Sequence, residues 1–213
     1  HLSYPFVFKH NDDIYMLPET SQNNDVRLYK ATNFPLNWEL SSVLINNIRA
    51  VDSMLFYDKS LSAWLLLCNI ASSVIDADFH SLKAFASNNL TSPFEEIDGI
   101  QIINDSTIGR NGGFLQYQNS IYRVSQYYGH NCYGKSVKIH RVSNTPTKKY
   151  IEEECIIEEI DFLKDCADKL ASGYKITGFH HVNNNKDFSV FDFKIKPRIS
   201  KMISISKRKM PWI

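Results

Sequence analysis

The sequence predicts an all-β fold built as a β-propeller, and three observations carry that prediction. First, residues His1 to Glu19, HLSYPFVFKHNDDIYMLPE, read as strand, tight turn, strand: Pro5 to Phe8 and Ile14 to Leu17 are apolar and flank the polar run Lys9 to Asp13. Second, the unit returns at Ala50 to Leu67, at Arg110 to Val124 and, more weakly, at Gly178 to Phe193. Third, the loop Asn88 to Pro93 (NNLTSP) parallels Thr32 to Asn37 (TNFPLN), each joining a third strand to a fourth. A unit recurring roughly every 40 to 60 residues is a small sheet that buries both faces only by packing on its neighbours. The alternative is a β-sandwich whose strands resemble one another by chance.

Taken in order, the first copy continues from its hairpin through the turn Thr20 to Asp25. A third strand, Val26 to Ala31, and a fourth, Trp38 to Ile45, complete it after the proline of Asn33-Phe34-Pro35. The second copy places strands near Ser53 to Tyr57, Ala63 to Asn69, Phe79 to Ser87 and Phe94 to Ile97. The third runs from Ile108 to Ile157, with its third strand at Ser136 to Val142. Asp161 to Ser172 breaks the pattern. Leu163, Ala167 and Leu170 fall at helical spacing between a capping Asp161 and a terminating Gly173, which predicts a short helix. The fourth copy, Tyr174 to Lys196, is incomplete, and its second strand, Phe188 to Ile195, alternates between two faces. The repeats therefore fall at about 1–48, 49–100, 105–160 and 174–200 of a single domain spanning 1–213.

Composition narrows the partners. The 213 residues carry a net charge of +1, with Lys and Arg scattered except in the tail Lys201 to Lys209. No basic stripe suits a nucleic acid, and no apolar run approaches the roughly 20 residues of a membrane span. The cysteines Cys68, Cys132, Cys155 and Cys166 lack zinc-site spacing, and Cys68 reads as a small buried hydrophobe. No secretory leader is visible, and the first residue is His. Two sequons, Asn89-Leu90-Thr91 and Asn104-Asp105-Ser106, do not decide the compartment.

In a propeller the innermost strands converge on a central channel, so the residues that lead into them meet. Registering Phe8 on Phe56 and Leu115 makes Tyr4, Asp52 and Asn111 equivalent. Asp52 would point a carboxylate at the channel, or merely tie down its own turn. Glu19, after Pro18, is the second candidate carboxylate, since glycoside chemistry uses two, or an exposed charge at a strand end. Arg110 suits an anionic group, or a salt bridge to Asp52 or Glu19. Gly112 and Gly113 let backbone approach a ligand closely. Gln126 and Tyr127 parallel Glu19 in the third copy, and Tyr4, Tyr127, Tyr128 and Tyr133 offer flat faces to sugar rings. His1, His180 and His181 lie at strand beginnings without ligand spacing, so no metal is assigned. No Gly-x-Ser-x-Gly, P-loop or dinucleotide fingerprint calls for a cofactor, and none is expected.

Several segments, HLSYPFVF, YMLPETS, RLYKATNFPLNWEL, AVDSMLFY, GRNGGFL, YGKSVKIHRV and GFHHVN with VFDFK, together resemble one family over Leu2 to Lys196. It is the N-terminal domain of glucosamine inositolphosphorylceramide transferases and their bacterial relatives, some of which are joined to formyltransferase-like domains. The resemblance implies a five-bladed propeller similar to glycoside hydrolase family 43, with about four blades in this chain. The family's first blade, which opens on an Asp-Pro-Phe type motif, has no counterpart before His1. Family 43 hydrolases draw a base Asp from that blade, a second Asp from a motif like VDSMLF and an acid Glu from a later one. Asp52 matches the second. The later position carries Arg110-Asn111-Gly112-Gly113 and no Glu. In the plant transferases, sugar transfer belongs to a separate C-terminal domain. The implied location is the cytoplasm for a bacterial-type protein and the Golgi lumen for a plant-type one.

Two readings from different classes follow. The favoured one is a non-hydrolytic carbohydrate-recognition propeller for glycan or glycolipid assembly, serving a fused or associated transferase domain. Tyr4, Glu19, Asp52, Arg110, Asn111, Gln126 and His180 contribute its site. The alternative is a glycoside hydrolase using Asp52 and Glu19 as the carboxylate pair. A third reading is a scaffold that binds nothing small.

Overall fold

The computed structural model describes residues 3–71, 79–97, 103–127, 136–144, 150–155, 174–184 and 189–197. Three antiparallel sheets and a hairpin follow one another along the chain. The first sheet holds β1 (Phe6–His10), β2 (Asp13–Leu17), β3 (Asp25–Asn33) and β4 (Asn37–Asn46) in sequence order. The second holds β5 (Ala50–Asp58), β6 (Ala63–Ile70), β7 (Ser81–Ser87) and β8 (Glu95–Glu96), with β9 (Ile103–Asn104) also paired to β7. The third is β10 (Asn111–Tyr117), β11 (Ser120–Tyr127), β12 (Ser136–Asn144) and β13 (Tyr150–Cys155). β14 (Tyr174–Asn184) and β15 (Ser189–Pro197) form the hairpin. The first strands stand side by side, β5 touching β1 and β10, and β10 touching β14. Meanders arranged about their innermost strands are propeller blades, as the repeats predict.

Burial explains why the second sheet lacks a polar face. Every residue of β6 from Ala63 to Asn69 is buried, because blades pack on it from both sides. A strand covered on both faces reads as a continuous apolar run, here Trp64 to Cys68, and not as an alternation. Burial pushes the Cys68 thiol up to about 12, so this cysteine stays an unreactive apolar filler. By contrast β4, at the rim of its sheet, leaves Leu40 exposed. Near the axis, the Phe114 ring lies 5.9 Å from both Phe6 and Phe56, joining three blades.

Some boundaries differ from expectation. β5 starts at Ala50, three residues early, because a bulge between Val51 and Met54 carries Asp52 and Ser53 within the strand. The fourth strand of the second blade shrinks to Glu95–Glu96, and β9 takes up the remaining edge of β7. The helix expected over Asp161 to Ser172 lies outside the described residues, as do His1, Tyr128, Cys132, Tyr133, Cys166 and the basic tail. No helix among the described residues is long and apolar enough to cross a membrane.

Candidate functional site

A hollow of about 610 Å3 opens where β1, β5 and β10 begin, against the later half of β14, so His180 and His181 lie within their strand and not at its beginning as expected. Ser3, Tyr4, Pro5 and Phe6 line it from the start of β1, and Glu19 from just beyond β2. Asp52 comes from β5, Arg110 from the residue before β10, His180, His181 and Asn183 from β14, and Asp192 from β15. Six of the residues singled out from sequence, Tyr4, Glu19, Asp52, Arg110, His180 and His181, thus share one cavity although they span most of the chain.

Two of these residues have unusual backbones. Tyr4 and Asp52 adopt φ of 45° and 49°, left-handed values that cost energy in side chains of this kind. At Asp52 the bulge turns the side chain toward the axis. There its Oδ2 accepts a hydrogen bond from Arg110 Nε at 2.8 Å, in an ion pair whose side chains are 6% and 19% exposed respectively. Burial raises the Asp52 carboxyl above its ordinary value. Arg110 and His180 oppose that shift, and the neighbouring charge of Glu19 adds to it. Glu19 is fixed by its backbone N–H, which donates to Ser3 O at 2.8 Å, and its Oε1 accepts from Ser21 Oγ at 3.3 Å.

The β14 side of the hollow presents two histidines. His180 Nδ1 lies 2.9 Å from Asp192 Oδ2, an exposed pair at the mouth. His181 packs edge-on against Tyr4 with centroids 5.2 Å apart, and burial lowers its pKa to about 4, helped by His180. It is therefore neutral at physiological pH. Among the described residues no group of three His, Cys, Asp or Glu is placed to hold a metal ion.

Asn111 and Gln126 do not line the hollow; both are buried behind it. Asn111 Nδ2 donates to the Asp52 carbonyl at 2.9 Å, and its N–H donates to Asn69 Oδ1 at 2.7 Å. Gln126 Nε2 donates to the Asn111 carbonyl at 2.6 Å, and the Gln126 N–H to the Arg110 carbonyl at 2.8 Å. These contacts hold the backbone on both sides of the Arg110–Asp52 pair. Gln126 and Glu19 hold corresponding positions in their hairpins, the Gln126 N–H donating to the Arg110 carbonyl as the Glu19 N–H donates to that of Ser3, but of the two only Glu19 lines the hollow. Gly112 and Gly113 also differ from expectation, because the backbone they admit belongs to this chain. A Cβ on Gly113, at φ +115°, would stand 1.8 Å from the Val182 carbonyl oxygen, and one on Gly112 3.1 Å from that of His180. The glycines let β14 close against β10.

Sequence reasoning missed the polar network behind the wall. Arg123, 0% exposed, donates from Nη2 to Glu152 Oε2 and to the Ile108 carbonyl at 2.7 and 2.8 Å, and from Nε to Glu152 Oε1. Its Nη1 reaches Asn111 Oδ1 at a longer 3.5 Å, and the Tyr150 hydroxyl also donates to Glu152. Burial alone would raise the Glu152 carboxyl, but the charge and hydrogen bonds of Arg123 carry it below its usual value. Asn69 Nδ2 donates to the Gly109 carbonyl at 2.8 Å, completing a latch from the second blade to the third. The available signals were slight: Asn69 ends an apolar run, and Arg123 stands between Tyr122 and Val124 in the second strand of its blade.

Blades of this form around a polar hollow define the chain as part of a five-bladed propeller of the glycosidase-like class. Its structural neighbours agree. A putative exo-β-1,3-galactanase from Bifidobacterium bifidum matches with a TM-score of 0.54 at 14% identity, covering 72% of this chain and 51% of that one. The xylan β-1,4-xylosidase of Bacillus halodurans gives 0.53 at 12%, covering 72% and 31%. The Xanthomonas citri GH43_1 enzyme in complex with xylotriose gives 0.52 at 9%, covering 73% and 56%. Residues 1–188 match the family described as glucosamine inositolphosphorylceramide transferase 1, N-terminal, and the chain belongs to it. The glucosamine inositolphosphorylceramide transferase 1 of Oryza sativa subsp. japonica is 36% identical over 158 residues, and that of Arabidopsis thaliana 34%. The alignments take in 71% and 72% of this chain but only 20% of each relative.

Proposed function

We propose that the hollow binds a saccharide without cleaving it, and that the propeller serves glycan or glycolipid assembly. The carrying observation is the Arg110–Asp52 pair: the carboxylate best placed for chemistry is buried and already engaged by a guanidinium at 2.8 Å. A base or nucleophile must be free to meet its substrate, and this one is committed to its neighbour. A binding site needs the opposite, polar groups fixed in advance beside an aromatic face, as Glu19, Arg110 and Tyr4 supply. The relatives are glycolipid sugar transferases by name, and the propeller is the part of them that this chain represents.

Charge narrows the ligand. Glu19, Asp52 and Asp192 face Arg110 and His180, while His181 is neutral, so the hollow carries no excess of positive charge. Neutral or amino-bearing sugars suit it better than uronates or sugar phosphates. The test is a glycan array with wild type and Asp52→Ala. The expected result is retention of neutral or amino oligosaccharides by wild type, and at least a tenfold loss in the variant. Binding by neither protein favours a scaffold that orients another domain.

The second reading, hydrolysis by Asp52 and Glu19, draws on one observation. Two carboxyls share the hollow, and burial raises that of Asp52 above its ordinary value, the direction a general acid needs. Release of reducing sugar by wild type, lost in both Asp52→Asn and Glu19→Gln, would establish that reading in place of the first.

A further inference from the structure

A second cleft, of about 650 Å3, opens at the other end of the same inner strands. Tyr57 to Ser60 line it from the β5–β6 turn, Asn119 to Ile121 from the β10–β11 turn, and Arg141 to Ser143 with Glu153 from β12 and β13. Asp52 and Asp58 lie six positions apart on β5, about 20 Å at the rise of an extended strand. The two cavities are therefore separate sites.

We propose that this cleft binds a neutral oligosaccharide segment, independently of the hollow. Tyr57 is 43% exposed on a strand whose other residues are all buried. Its ring stands edge-on to Trp64 with centroids 5.4 Å apart, which holds it as a fixed platform for the C–H face of a sugar. Both flanking turns are also fixed. Asp58 Oδ1 accepts from Ser60 N, Ser60 Oγ and Leu61 N at 2.8, 2.6 and 3.0 Å. Gln118 and Asn119 both take positive φ, the tight-hairpin geometry.

Electrostatics select the ligand. Lys59 and Arg141 are balanced by Asp58 and Glu153, and Arg141 pairs in register with Glu153 across β12 and β13. A cleft with no net charge, hydroxyl and amide groups along its walls and one upright aromatic ring matches a neutral glycan rather than an anion. Arg141 Nη2 donates to Ser120 Oγ on the neighbouring strand at 3.4 Å, which fixes the wall that the third sheet supplies.

The test is an amide-resolved NMR titration of the labelled chain with β-1,3-galactotriose and with xylotriose, to about 20 mM, a range that reveals millimolar affinity. The expected result is saturable shifts at residues 57–60 and 116–121. Tyr57→Ala should weaken them at least tenfold and leave shifts around Asp52 and Arg110 unchanged. Asn119→Gly keeps the positive-φ turn while removing a polar group, and should weaken the same shifts about threefold. Absence of shifts at the cleft, or shifts that survive both substitutions, overturns the inference. Shifts confined to the hollow overturn it while upholding the hollow as a saccharide site; shifts confined to the cleft do the reverse.

Discussion

Replacing Arg110 by Leu tests the structural claim on which the proposed site rests. The substitution keeps side-chain bulk but leaves the Asp52 carboxylate, 6% exposed, without its cation and still beside Glu19. Removing one partner of a buried pair costs about 3–5 kcal/mol, since the remaining charge is neither solvated nor neutralised. For a chain of this size each kcal/mol moves the midpoint by about 2–4 °C, so the loss at neutral pH is on the order of 6–20 °C. The deficit depends on pH, and its sign follows from protonation. In the variant burial and Glu19 still raise the folded carboxyl and Arg110 no longer opposes them, so the folded state should bind a proton more tightly than the unfolded chain. The deficit is complete above the raised pKa and shrinks as pH falls through it toward 3.8. Urea unfolding of wild type and Arg110→Leu at several pH values from about 4 to 8 measures both effects. A loss below about 1 kcal/mol at pH 7, with no pH dependence, would refute the account of Asp52 as a buried, paired carboxylate.

Other perturbations follow from the same geometry. Glu152→Ala strands the fully buried Arg123 and should cost about 3–5 kcal/mol, while the double change Arg123→Met with Glu152→Leu recovers most of it in urea melts. Gly113→Ala forces a Cβ against the Val182 carbonyl at a positive φ, and should raise hydrogen exchange across β14 and β15 before the rest of the chain responds. His140 and His181, both lowered to about 4 by burial, favour the fold only when neutral. Their contribution is complete above 6.5 and is lost as pH falls toward 4, which a His181→Phe variant should partly abolish in pH-dependent melts. In the native protein Cys155 should react with a thiol reagent well before Cys68, whose thiol lies at about 12.

The repeats were legible because strands announce themselves locally. A polar turn between apolar runs needs no knowledge of the partner sheet, and the same phrase recurring reveals the blade. Tyr4, Asp52 and Arg110 were legible as site residues because a propeller brings the starts of its inner strands together whatever the intervening loops. Asn111 was placed one step too near the axis. The bulges at Asp52 and at Gly112-Gly113 fall at different steps of their strands, so the residues within them do not align although the pairs on either side do. Arg123 and Glu152 lie 29 positions apart and meet only because β11, β12 and β13 pair in a particular register. Nothing in either segment names the other. The two glycines show the same limit: sequence signals that something approaches closely, and only the fold shows that it is β14.

The contact of Phe114 with Phe6 and Phe56 bears on how the molecule comes apart. Linear solenoids melt unit by unit, since each unit leans only on its neighbours. Here one aromatic ring is common property of three blades, so detaching any of them uncovers the other two. Blades that share a core in this way lose their packing together, and an excised blade would carry away a fragment of a core that has no meaning on its own.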